Sequence, residues 1–165
     1  LSNTLVEKVK EHYRPSKTTL LRGEELAVSI IRGDWLYFPS LGWRADTIVG
    51  IGFREGLNVV QDVALVLDVA TSGGALYYDQ TVAFMYRRHR GSDSSWRALE
   101  GTRFDEERRF FYQISQEMNA RGWNRAALIS RAHVSSRLHA LALLPKAAMA
   151  KKWQGVKNLA THVVK

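Results

Sequence analysis

From Thr102 to the end of the chain the apolar residues recur at helical spacing, whereas before it Gly23, Gly33, Pro39 and Gly42 interrupt the chain so closely that only short elements fit. This change of period divides the sequence into an α+β part over residues 1–100 and a basic helical part over 101–165. No linker separates the two, so a single compact domain over residues 1–165 is expected. With 165 residues, 45% of them apolar, the chain can bury a core without a staple. It has no cysteine, which removes thiol nucleophiles, disulfides and cysteine-held metals and fits a reducing cytoplasm. The longest apolar run, Val63–Val69, is broken by Asp68 and falls far short of the roughly 18 to 20 residues that cross a bilayer. The sequence opens on Leu1 rather than Met, so an initiator or leading segment is expected to precede it.

In the first part, residues 3–14 read as a helix ended by Pro15, and residues 24–31 as a short helix or a strand. Trp35 to Phe38 looks like a short aromatic strand. Residues 47–53, 57–69 and 75–86 are rich in Val, Ile, Tyr and Phe and read as strands, the last two joined as a hairpin through Ser72-Gly73-Gly74. A small mixed or antiparallel sheet over about residues 20–90 follows. In the second part Phe110, Phe111, Ile114 and Met118 mark the buried face of a helix capped by Thr102 or Asp105 and stopped by Gly122. Asn124 is expected to cap a second helix holding Ala126, Leu128, Ile129 and Ala132, Ser135 or Ser136 to cap a third holding Leu138, Leu141 and Leu144, and Pro145 to close it before a last helical stretch from Lys146 to Val164.

Charge sharpens this division. Residues 1–86 carry eight Lys/Arg against ten Asp/Glu, residues 87–165 sixteen against six, and from Met118 to Lys165 there are nine cations and no carboxylate. Such a segment repels itself unless an anionic partner relieves it, so DNA is the expected partner and an acidic protein the alternative. A helix-turn-helix within residues 114–145 satisfies the geometry of duplex recognition in two registers. In one, Asn124, Arg125 and Ser130 lie on the reading helix; in the other, Ser135, Ser136, Arg137 and His139 do. Arg131, Lys151 and Lys152 add phosphate contacts, and Trp96, Trp123 and Trp153 are candidates for base stacking.

The run from Val134 to Pro145, a Val/Ser-led helix closing on Leu-Pro, resembles the DNA-binding segment of plasmid-encoded ParB-family proteins. The resemblance implies Ser135, Ser136 and Arg137 on the DNA side and Leu138, Leu141 and Leu144 in the core. It also implies an amino-terminal ParB/sulfiredoxin-like fold with an arginine box that holds a nucleotide, ATP or CTP, with Mg²⁺. The nearest segment is Arg87, Arg88, His89 and Arg90, followed by Gly91; its glycine lies after the arginines, whereas the family's precedes them. The function implied is DNA binding in partition, regulation or conjugative transfer of a mobile element. The enzymatic alternative is a nucleotide-hydrolysing, Mg²⁺-dependent nuclease that inhibits transfer of a rival plasmid. Its carboxylates would be Asp62 and Asp68, six apart on one face of a strand, with Asp79 across the hairpin. No Gly-x-Ser-x-Gly elbow, dinucleotide fingerprint or Walker loop is present, and no histidine pair has zinc spacing.

Overall fold

The structure, a computed structural model, describes residues 5–82 and 100–164. The arginine-rich segment with Trp96, and the far end of the strand expected over residues 75–86, lie outside the described residues. The chain is α+β and mostly helical. Helix α1 (Leu5–Tyr13) leads into β1 (Thr19–Arg22) and α2 (Gly23–Gly33), then a 3₁₀ turn at Phe38–Ser40 and the short α3 (Ala45–Ile48). Helix α4 (Gln61–Thr71) is followed by β2 (Ala75–Tyr78), and α5 (Thr102–Ala120), α6 (Asn124–Ala132), α7 (Val134–Met149) and α8 (Trp153–Val164) complete the described chain.

Among the described residues the sheet has two antiparallel strands, β1 and β2, in the register Thr19↔Tyr78 to Arg22↔Ala75. The expected strand over residues 57–69 is instead α4, seven of whose eleven residues are buried. A helix covered on most sides shows no amphipathic period, and Val60, Val63, Val66 and Val69 imitate the β-branched run of a strand. The Ser72-Gly73-Gly74 segment is therefore a helix stop. Gly73 donates to the Ala70 carbonyl at 3.3 Å and Gly74 to that of Val69 at 2.9 Å, with Gly73 left-handed at φ 87°. Residues 47–53 form the end of α3 and a turn, and the Trp35 segment is irregular, its indole buried, hydrogen-bonded to Ser29 Oγ at 3.1 Å and edge-on to Tyr78.

The larger core joins Leu26, Ala27, Ile30 and Ile31 of α2 to Val63, Val66 and Leu67 of α4 and to Phe110, Phe111, Ile114 and Met118 of α5, with Ala126 and Ala127 of α6 closing it. A second core lies beyond α5, where Phe104 meets Ala140 and Ala147 of α7 and Leu159 of α8. Helix α7 runs through Pro145 to Met149; the proline does not close it, because its ring sits on an exposed side where the lost hydrogen bond at the Leu141 carbonyl meets solvent. The helix ends instead on Lys151, left-handed at φ 56°, with Lys152 donating to the Ala147 carbonyl at 3.0 Å. No helix among the described residues is long and apolar enough to cross a membrane.

Candidate nucleic-acid interface

The joint between α5 and α6 is a tight turn. Gly122, at φ 80°, donates to the Asn119 carbonyl at 3.0 Å and Trp123 to that of Met118 at 2.9 Å, which closes α5 and sends the chain directly into α6. Ala126, Ala127 and Ser130 hold α6 against the body. The opposite face presents Arg131, Asn124, Leu128, Ala132 and Arg125 within one exposed arc. Arg125 and Arg131 make no ion pair among the described residues, and Arg121 lies over the half-buried Trp123 ring at 5.5 Å. The N-terminus of α6 is occupied: Glu24 Oε1 accepts the N–H groups of Arg125 at 2.8 Å and Ala126 at 3.1 Å. A phosphate finds no free helix end there, so any contact with DNA falls to the side chains.

The second register is built differently. A single residue, His133 at φ 30°, joins α6 to α7. Ser136 is buried, donates to Glu107 Oε2 and stands 2.8 Å from His162 Nε2. Because its one hydroxyl proton goes to the carboxylate, His162 must donate from Nε2, which leaves its buried Nδ1 as an acceptor with no partner. Burial pushes His162 down to about 4 even against the pull of Glu107. Burial alone would raise Glu107, but the Arg103 charge, at 2.6 Å, and the Ser136 hydrogen bond outweigh it and hold the carboxyl below its ordinary value. Arg137, half-buried, donates to His133 Nε2 at 3.3 Å, while His133 Nδ1 donates to the Arg131 carbonyl at 3.1 Å. His139 stands edge-on to Phe104, and burial together with the Arg103 charge pushes it down to about 4, so it brings no cation to a phosphate near neutral pH.

Of the second register, then, Ser136 is turned inward, Arg137 is tied to its own helix turn, His139 is neutral and Ser135 is half-buried. Leu138 and Leu141, expected in the core, face solvent. The small residues Ser136, Ala140 and Ala147 take their place because they let α5 and α8 approach closely. Lys152 reaches Glu100 at 3.4 Å, whereas Lys151 is exposed.

The carboxylates proposed for a metal do not share a strand face. Asp62 sits in the first turn of α4 and Asp68 two turns on, about 120° around the helix from it. Asp68 is gripped by Arg54 at 2.6 and 2.9 Å, together with Glu117 at 2.8 Å, and the exposed Asp79 closes a turn onto Thr81 at 2.9 Å. Among the described residues no group of three or more His, Asp or Glu is placed to hold a metal ion. The nucleotide candidates Arg87, Arg88, His89 and Arg90 lie outside the described residues.

The Glu107–Ser136–His162 chain was not singled out in the sequence. Its signal was there: Glu107 falls in the row Phe104, Phe111, Ile114 and Met118, a charge in an otherwise apolar row on the inner face of the helix. No family model, no curated protein and no solved structure matches this chain.

Proposed function

We propose that the protein binds duplex DNA through α6, with α5, the Gly122 turn and α6 acting as a helix-turn-helix. One observation carries the reading: α6 turns Asn124, Arg125, Leu128 and Arg131 outward, and neither arginine is neutralised by an ion pair among the described residues. Asparagine and arginine read base edges, and a neighbouring arginine grips phosphate. The charge ledger supports it. Glu24, Asp34, Asp68 and the four carboxylates of α5 are committed to Lys10, Arg54, Arg103 and Arg108 or to the ends of α4 and α6, and among the described residues Lys152 alone of the cations after Met118 is ion-paired, with Glu100.

The test is duplex affinity measured by fluorescence anisotropy across a salt series. The logarithm of affinity falls linearly with the logarithm of salt, and Arg125→Ala and Arg131→Ala each lower the slope by about one phosphate contact. Arg137→Ala leaves the slope unchanged, because that guanidinium is committed to His133. Absence of binding to any duplex at low salt, or a slope indifferent to both α6 variants, overturns the proposal.

A further inference from the structure

Helix α7 is apolar on its outside. At 100° per residue, Leu141, Val134, Pro145, Leu138, Met149 and Ala142 fall in one arc of about 100°. All six are exposed, Leu138 to 46%, Leu141 to 49% and Met149 to 78%. The strip runs the whole helix, about 24 Å. A continuous apolar face of this length, unlike a scatter of single leucines, marks a surface that another molecule covers.

Two further features select the occupant. The strip has relief: Val134, Leu138 and Ala142 form one row at four-residue spacing and Leu141, Pro145 and Met149 a second, with the small Ala142 and Pro145 leaving a dip between larger side chains. Rows and dips of this spacing accept the side chains of another helix. Its border is cationic. Lys146 flanks the strip, Arg131 and Lys151 stand at its two ends, and none of the three is ion-paired among the described residues. No carboxylate occurs on α6, α7 or α8, so a second copy docking α7 on α7 would set like charges against one another.

We infer that the outer strip of α7 seats an amphipathic helix of another protein, apolar on one side and rich in Glu or Asp along its flanks. Leu138, Leu141 and Met149 supply the contact area, and Lys146, Arg131 and Lys151 fix the orientation and exclude cationic helices. The inference rests on the apolar strip of α7 and does not require DNA recognition by α6, with which it shares only Arg131.

The experiment titrates the full chain with two synthetic 18-residue helices that share a leucine stripe, one flanked by Glu and one by Lys, and reads peptide anisotropy. The Glu-flanked helix binds, the Lys-flanked helix binds at least about tenfold more weakly, and added salt narrows the gap. Leu138→Ser with Leu141→Ser lowers affinity for the Glu-flanked helix at least about tenfold. Both sites are solvent-exposed, and an unchanged circular dichroism spectrum and thermal midpoint show that the fold is kept. Equal binding of both helices, or none at about 1 mM, overturns the inference. So does a dimer seen in sedimentation that the double variant abolishes, or binding to phosphatidylglycerol vesicles without binding to the acidic helix.

Discussion

Two cores meet across α5, and they are built on opposite principles. The core toward α2 and α4 is dominated by large aliphatic and aromatic side chains, Leu26, Ile30, Leu67, Phe110 and Ile114 among them. Among the described residues the core toward α7 and α8 has four buried apolar residues, two of them alanines, and is completed by Arg103, Glu107, Ser136 and His162. The first is held by area removed from water, a force indifferent to pH and forgiving of direction. The second depends on each donor meeting its acceptor, and it fails abruptly when one member is lost.

Four experiments bear on this contrast, from the largest effect to the smallest. Glu107→Ala strands Arg103, Ser136 and His162 inside the second core and lowers unfolding free energy by about 4 kcal/mol, read from urea denaturation. Acid gives the next effect. His162 and His139 both sit near 4 in the fold against an ordinary value of 6.5, so the native state binds fewer protons than the unfolded chain. Their contribution to stability is complete above pH 6.5 and drains away as pH falls toward 4, and His162→Gln shrinks the drop measured between pH 6.5 and 5. Ser136→Ala removes one bridge and costs about 1 to 2 kcal/mol at pH 7. Lys151→Gly relieves a left-handed side chain at the end of α7 and raises stability by about 1 kcal/mol, seen as a higher thermal midpoint.

How far the sequence was legible follows the same division. Helix α1, the inner row of α5 and the Gly122 stop were readable because each carries a local signature, a period or a stop glycine. Asn124, expected as the cap of α6, is instead its first helical residue, and the cap comes from distant Glu24. The strands expected over residues 47–53 and 57–69 were not strands: α4 is buried on most sides and so lacks the polar stripe that betrays a helix, and Gly73-Gly74 serves a helix end as readily as a hairpin. In α7 two apolar arcs compete, and leucine spacing points to the larger one. Closeness of α5 and α8 decided for the smaller, a preference visible only once those helices are in place. The two reading registers looked alike for the same reason, since whether Ser136 meets a phosphate or a buried carboxylate depends on Glu107, 29 residues earlier.

The cap on α6 ties together two segments far apart along the polypeptide. The carboxylate that closes this helix belongs to α2 and lies 101 residues upstream of the amide it accepts. The aim of α6 is thus inherited from the amino-terminal body and not set by its own neighbours alone. Fraying of α2 would let the helix swing, and a partner that clamps α6 would in turn steady a segment far away along the chain.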